Sequence, residues 1–490
     1  MTHRDYILFY LNGRRIEVKG KQAFMPLANF LRYAQEKTGT KIVCAEGDCG
    51  ACTVLQAAPQ KSDSVDDKLS YRPFNSCIMP VFLLDCCSVV TVEGLTPDCS
   101  VTGALDPVQE AFVRNNASQC GFCTPGFIMA TAGLYERKDS PSSKDVQNYL
   151  TGNLCRCTGY DAIIQAGCSV NTERRERLNA RYFDPSATRE LIEHLKLPVK
   201  MELGDASYYA PVDIDEAVSI HQKGKTRLIA GATDLGVQMN KGRLHTKDFL
   251  SLRLIDEVHS LIKSDSSTTV GAKVSWEHTR RSLKNTHSEF ATFLDLFASP
   301  QIKNVGTLVG NVANASPIGD SIPYLMVAEA TLNLIGPEGR RTAPITSFYK
   351  GYKDLALKEG ELITSISIPE AKECEIIRLY KISARRDLDI SCVNMACSMT
   401  LKKGNIVAFR IAFGGVGPVV KRISSVEQFL CNKRLTAENI KQAVALIPAE
   451  ITPISDVRGS KTFRIKAAQN LLRKLFFEFK EHISSNPETV

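Results

Sequence analysis

The chain has 490 residues, 43% of them hydrophobic and 23% charged. That balance excludes wholesale disorder and supplies apolar side chains for about three cores, at roughly 100 to 200 residues per domain. The formal net charge of +8 comes from 61 basic and 53 acidic residues spread along the chain, an excess that describes a solvated surface and argues against a nucleic-acid partner.

Ile7-Leu8-Phe9-Tyr10-Leu11 reads as a buried strand, Asn12-Gly13 as a two-residue turn of positive φ, and Arg14-Arg15-Ile16-Glu17-Val18 as the returning strand. The residues before this hairpin, Met1-Thr2-His3-Arg4-Asp5, carry neither an apolar signal core nor paired arginines. No run anywhere reaches the ~18 apolar residues of a membrane helix. A soluble, cytoplasmic protein with no membrane partner is expected. After Pro26, the residues Leu27, Phe30, Leu31 and Ala34 fall at helical spacing until Lys37-Thr38-Gly39-Thr40 ends the pattern.

Next comes Cys44-x4-Cys49-x2-Cys52, with Cys77 following after 24 residues. This is the spacing of a plant-type ferredoxin site, in which four thiolates hold a 2Fe-2S cluster. Gly47 and Gly50 let the loop wrap such a cluster and turn N–H groups toward sulfur. Four thiolates also suit structural zinc, but zinc favours two separate Cys-x2–4-Cys knuckles, and here three ligands share one loop. Cys86, Cys87 and Cys99 are left over and read as buried structural thiols. Twelve of the sixteen cysteines lie in the first 168 residues, and in a reducing cytosol such crowding points to metal before disulfides.

From Leu105 the pattern turns helical. Asp106, Pro107 and Gln109 form a capping box with proline at the first helical position, a second helix starts at Thr124-Pro125, and a third at Ser143 with Val146, Tyr149 and Leu150 as its stripe. Two more thiol pairs sit at the edges of these helices: Cys120-Gly121-Phe122-Cys123 and Cys155-Arg156-Cys157. Each pair alone suits zinc or redox chemistry, although Cys-x-Cys is too tight for most zinc knuckles and favours a cluster. A helix N-terminus there would favour thiolates and an anionic group. Residues 171–205, with Glu173-Arg174-Arg175-Glu176-Arg177, read as a charged surface linker with one short helix.

Further on, Leu228-Ile229-Ala230-Gly231-Ala232-Thr233-Asp234-Leu235 is a strand entering a small-residue turn, where backbone N–H groups can nest a phosphate. On its own it reads rather as an ordinary tight turn. Gly306-Thr307-Leu308-Val309-Gly310-Asn311-Val312-Ala313-Asn314 repeats the chemistry, with small residues for close approach and Thr307, Asn311 and Asn314 as donors. No Gly-x-Gly-x-x-Gly follows a strand, so a Rossmann-type site is disfavoured. The last helix carries Ala467, Leu471, Leu472, Leu475 and Phe476.

The two cysteine constellations, in this order, resemble the N-terminal half of the molybdenum hydroxylases, where a ferredoxin-like domain precedes a helical domain with a second 2Fe-2S cluster. The resemblance implies Cys44, Cys49, Cys52 and Cys77 as ligands of one cluster and Cys120, Cys123, Cys155 and Cys157 as ligands of the other. The later stretches resemble the FAD-binding domain of the xanthine dehydrogenase type within this family. Position by position, that implies flavin contacts from Leu228, Ile229, Ala230, Gly231, Ala232, Thr233, Asp234, Leu235, Phe297, Thr307, Leu308, Val309, Gly310, Asn311, Asp320, Ile363 and Lys381. Phe297 would lie beside the isoalloxazine; without the family it is an ordinary core aromatic. Gly351-Tyr352 and Arg385-Arg386-Asp387-Leu388-Asp389-Ile390 match the family's nicotinamide site and acidic loop. That loop commonly carries three consecutive acids, so Leu388 removes a charge and leaves NAD or oxygen open as acceptor. Asp456-Val457-Arg458-Gly459-Ser460 resembles the end of the family's flavin region.

The implied fold is α+β and multidomain: a β-grasp ferredoxin-like 2Fe-2S domain (1–95), a helical 2Fe-2S domain (96–170), the linker (171–205), a VAO/PCMH-type FAD-binding domain (206–372) and an α+β CO dehydrogenase flavoprotein-like C-terminal domain (373–490). The implied protein is the iron–sulfur and FAD small subunit of an NAD-dependent xanthine dehydrogenase, since nothing after Lys480 could bind molybdopterin. Its Mo-molybdopterin would sit on a large partner subunit in an α2β2 heterotetramer, and this chain would offer the purine no catalytic residue. The alternatives are a subunit acting on aldehydes or N-heterocycles, or a stand-alone NADH-dependent reductase.

Overall fold

A computed structural model describes residues 3–59, 70–96, 105–182, 184–224, 226–372 and 374–485, with side chains to residue 479. Cys99 lies outside these residues. The chain forms two compact units: Met1–Asp256 with Ser299–Gly306, and Glu257–Ala298 with Thr307–Val490.

The first unit opens with the hairpin Ile7–Leu11 and Arg14–Val18, turned by Asn12 at φ 51° and Gly13 at φ 79°. Both residue types tolerate the left-handed region that the tight turn demands. Strand Ile7–Leu11 also pairs in parallel with Ser88–Val90, and Thr53–Ala57 and Arg72–Asn75 complete a five-stranded mixed sheet. Helix Leu27–Tyr33 sends Leu27, Phe30 and Leu31 into the core beneath Ile7, Leu8 and Phe9.

Four helices follow: Pro107–Arg114, Thr124–Tyr135, Ser143–Tyr149 and Asp161–Cys168. The Asp106 carboxylate accepts from the Val108 N–H at 2.9 Å, and Gln109 Oε1 accepts from the Asp106 N–H at 3.1 Å. Such a cap is worth about 1 kcal/mol. Phe112, Phe127, Leu134, Tyr149 and Ile163 share one core with Leu55, Tyr71 and Val90 of the sheet. Cys86 and Cys87 are buried, as expected for structural thiols.

Residues 171–205 depart from the expected linker. They hold helices Leu178–Tyr182 and Pro185–Leu195 and strand Val199–Leu203. The charge run concealed a buried pair, Arg175 on Glu136 at 2.5 Å, and Leu178 fills the core beside it. Strand Val199–Leu203 joins Ala206–Ala210, Lys247–Leu250 and Arg227–Leu228 in a four-stranded sheet. The short helix Pro300–Lys303 belongs to this unit although it stands far along the sequence.

The second unit has an antiparallel five-stranded sheet (Leu261–Lys263, Ser267–Gly271, Leu362–Pro369, Thr331–Gly336, Gly339–Pro344) and an antiparallel four-stranded sheet (Glu375–Ile382, Val393–Lys402, Asn405–Gly414, Lys421–Arg422). Helices Ala437–Glu450 and Lys461–Ser485 bring Val444, Leu472 and Leu475 into a core with Val393, Met395 and Phe413 of the second sheet. No helix among the described residues is long and apolar enough to cross a membrane.

Candidate cofactor sites

The first thiol quartet is assembled by a curled loop. Ala45, Gly47 and Gly50 take φ of 54°, 75° and 69°, which folds the chain back on itself and aims the Glu46 and Cys49 N–H groups at Cys44 Sγ, at 3.4 and 3.5 Å. The Cys44 thiol is also within hydrogen-bond reach of the Cys49 and Cys77 thiols, and Cys52 of Cys77. Sharing protons in this way moves the thiols apart in acidity: contact with Cys49 drives Cys44 down, and contact with Cys44 drives Cys49 and Cys77 up. Two amides hold the ligand segments in place. Asn75 Nδ2 donates to Gly47 O at 2.5 Å, and Asn240 Nδ2 donates to both Ala45 O and Cys77 O at 2.8 Å.

The second quartet forms where helix Thr124–Tyr135 begins at Cys123. Cys157 Sγ lies 3.5 Å from Cys120 Sγ and 3.9 Å from Cys155 Sγ, and the Cys155 thiol reaches Cys123. Burial raises the Cys155 thiol, but hydrogen bonds led by Thr158, whose N–H reaches Sγ at 3.2 Å, bring it down to about 7. Burial, then contact with Cys155, pushes Cys123 up to about 12. No group of three or more His, Cys, Asp or Glu among the described residues is set to hold a metal ion as it stands. The convergent thiols with N–H donors on sulfur are nevertheless the donor set that an iron–sulfur cluster takes.

The two quartets meet at one backbone junction. The Leu154 N–H, next to Cys155, donates to the carbonyl of Cys49 at 2.9 Å, and Asn153 Nδ2 donates to Gly50 O at 3.0 Å. There is no room for side chains here: a Cβ on Gly126 would lie 2.3 Å from Gly50 O, and one on Gly50 2.2 Å from Gly152 O. Sequence reasoning gave Gly50 only its part in the loop and Gly126 none. The Gly126 beside Cys123 was the signal available.

The expected flavin contacts fall in both units. In the first, Leu228 ends strand Arg227–Leu228, Ala232 takes φ 57°, and Asp234 precedes helix Leu235–Asn240. Gly231 packs against Val305 so closely that a Cβ would lie 1.9 Å from its carbonyl oxygen. In the second, Thr307 caps helix Leu308–Asn314 by accepting from the Gly310 N–H at 3.0 Å, and Asn311 Oδ1 accepts from Ser321 Oγ at 2.7 Å. Asp320 and Lys381 form a buried ion pair at 2.7 Å. Ser391 Oγ (2.5 Å) and Asn394 Nδ2 (2.7 Å) complete the carboxylate's partners; neither was marked by sequence. Ile363 is buried opposite Leu334, and Phe297 lies with its ring 4.8 Å from Trp276. Small-residue turns and a fixed carboxylate supply the donor and acceptor types that a flavin dinucleotide takes.

Tyr352 is exposed, and Asp389 accepts from the Arg385 N–H at 3.0 Å. Leu388 sits between the two aspartates at φ 62°, a conformation costing a non-glycine residue about 1 kcal/mol or more. Leu388→Gly is therefore expected to raise the denaturation midpoint, by up to about 1 kcal/mol of stability.

Comparison with known proteins identifies three stretches. Residues 91–168 match the 2Fe-2S binding domain family, residues 201–371 the FAD binding domain in molybdopterin dehydrogenase, and residues 378–479 the CO dehydrogenase flavoprotein C-terminal domain. The chain carries the iron–sulfur and flavin domains of the molybdenum hydroxylases. Xanthine dehydrogenase 1 of Arabidopsis thaliana is 28% identical over 98% of this chain and 40% of its own length. Aldehyde oxidase 1 of Bos taurus is 28% identical over 98% of this chain and 39% of its own. The chain thus spans about two fifths of the length of these relatives. Among solved structures, reconstituted CO dehydrogenase from Oligotropha carboxidovorans aligns with a TM-score of 0.53 and 28% identity, over 56% of this chain and 97% of that one. The 2Fe-2S binding domain match spans Cys120, Cys123, Cys155 and Cys157, and Cys44, Cys49, Cys52 and Cys77 precede it.

Proposed function

We propose that this chain is the electron-transfer part of a xanthine dehydrogenase-type molybdenum hydroxylase, holding two 2Fe-2S clusters and FAD. The supporting observation is the junction itself. The hydrogen bond from Leu154 to Cys49 runs between the residue preceding one candidate ligand and the backbone of another, a covalent and hydrogen-bonded route between two redox groups. Cys120, Cys123, Cys155 and Cys157 would hold the cluster on the side of electron entry, and Cys44, Cys49, Cys52 and Cys77 the one nearer the flavin. When bound, clusters carry single electrons and FAD collects two for NAD. The protein sets spacing, excludes water and fixes the charges around each group.

In this reading the mixed sheet of the first unit is a β-grasp domain, the four helices form the second iron–sulfur domain, and the flavin domains follow at about residue 206. Mo-molybdopterin belongs to a partner subunit, in an α2β2 assembly in the cytoplasm. Equal identity to a xanthine dehydrogenase and an aldehyde oxidase supports a second reading, in which the partner oxidises aldehydes.

The deciding experiment is purification of the chain with whatever binds it, followed by iron, flavin and molybdenum analysis and turnover with hypoxanthine or an aldehyde in the presence of NAD. About four irons, one FAD and a molybdenum-bearing partner active on hypoxanthine are expected. Turnover of aldehyde alone would move the substrate to the second reading. A chain without partner that reduces dyes from NADH would replace both with a stand-alone reductase.

A further inference from the structure

The junction between the quartets is braced by a residue from a distant part of the chain. Gln301 is fully buried on helix Pro300–Lys303. Its Nε2 donates to Asn153 Oδ1 at 2.7 Å and lies 3.3 Å from Thr53 Oγ1. Asn153, only 2% exposed, in turn donates through Nδ2 to Gly50 O, while the adjacent Leu154 N–H donates to Cys49 O. The amides therefore run head to tail from Gln301 to the loop that bears Cys49 and Cys52. Gly152 packs directly on the Gln301 amide: a Cβ there would lie 2.1 Å from Gln301 Oε1. The short helix is itself pinned, since Asn304 Nδ2 donates to Pro73 O at 2.9 Å and Ser299 Oγ accepts from the Ile302 N–H at 3.2 Å.

We propose that Gln301 is a positioning residue for electron transfer between the two clusters, acting through Asn153 to keep the Leu154–Cys49 hydrogen bond closed; this rests on the two-cluster reading above. The step it serves moves one electron from a reduced cluster to an oxidised one, with no bond made or broken and no proton exchanged. Without the Gln301 donor, Asn153 Oδ1 is a buried acceptor left unpaired, so the Asn153 amide gains by turning away from Gly50. The backbone bond beside it then opens for part of the time.

The test uses the full chain with its iron and flavin, comparing wild type with Gln301→Leu, which cannot donate, and Gln301→Glu, which keeps the shape but presents an acceptor when ionised. Iron per chain, the magnetic coupling between the reduced clusters by electron paramagnetic resonance, and the rate of cluster-to-cluster equilibration after flash reduction are measured. The variants are expected to keep about four irons and the resonance positions of each cluster. Their coupling should become heterogeneous, and the rate should fall roughly tenfold, the population change that follows when one buried partner is left unpaired. An unchanged rate and coupling in a four-iron variant would overturn the proposal, as would loss of a whole cluster in both variants, which would make Gln301 a folding residue. Should Gln301→Leu fail to fold, the Gln301→Glu variant decides. A wild-type chain with about two irons would instead defeat the two-cluster reading.

Discussion

Cys155→Ser protein should contain about two irons per chain where the native chain contains about four, and should lose partner-driven reduction of its flavin by on the order of a hundredfold or more. The thiol that is removed touches Cys123 and Cys157 and takes the Thr158 N–H on sulfur. A serine oxygen is a harder, shorter and far less acidic ligand, ill matched to iron that prefers thiolate. The first quartet should survive the substitution: its sulfurs take their contacts from their own loop, Asn75 and Asn240 hold the ligand segments, and the junction bonds to Cys49 O and Gly50 O come from the Leu154 backbone and the Asn153 side chain, which Cys155→Ser does not remove. Electron entry and flavin reduction then separate: NADH-to-dye activity should persist while turnover with the partner's substrate disappears. Iron analysis with the two assays checks this. Loss of both activities in a folded variant would contradict the proposed order of the relay.

Gly126→Ala is expected to destabilise the first unit by about 3 kcal/mol or more, seen as a lower urea midpoint and poorer iron retention. Its new methyl group would meet backbone, Gly50 O at 2.3 Å and Ala51 Cα at 3.1 Å, where no flexible side chain can swing aside. Relief requires helix Thr124–Tyr135 to move from the Cys44–Cys52 loop, which separates the quartets at their junction. Gly159→Ala is the control. Gly159 has φ 84° with nothing within 4 Å of a built Cβ, so its cost should stay at the roughly 1 to 2 kcal/mol of the backbone conformation. Gly126 lies in helix Thr124–Tyr135 without a positive φ, so an effect no larger than that of Gly159→Ala would mean that close approach does not govern Gly126.

Local signals made much of this architecture readable. Asn12-Gly13, the Asp106 capping box and the helix starts at Thr124 and Ser143 each depend on neighbours within four residues, and the structure has all of them. The curl of the Cys44–Cys52 loop and the helix start at Cys123 are local too, whereas Cys77 and the Cys155–Cys157 pair reach their partners from remote segments. What was illegible involves partners remote in sequence. Arg175 looks like one charge in a solvated run until Glu136, 39 residues away, receives it in the interior. Ser391 and Asn394 are unremarkable polar residues until the fold sets them on Asp320. Gln301 lies inside the stretch expected to be flavin domain, yet its amide belongs among the thiol loops. Periodicity cannot reveal such pairings, since it reports which face is apolar and not which buried polar atoms will need each other.

That late-arriving helix also bears on how the protein matures on the ribosome. All eight candidate ligands have been synthesised by residue 157, but Pro300–Lys303 is made only well over a hundred residues later. At about 5 to 20 residues per second, the delay is roughly seven to thirty seconds. During that interval the thiol loops lack their brace while their sulfurs are open to oxidants and stray metals. Iron donated before residue 306 emerges would meet an incomplete receptacle, so assembly of the proposed clusters would be most secure as a late event, after the segment bearing Gln301 has been made.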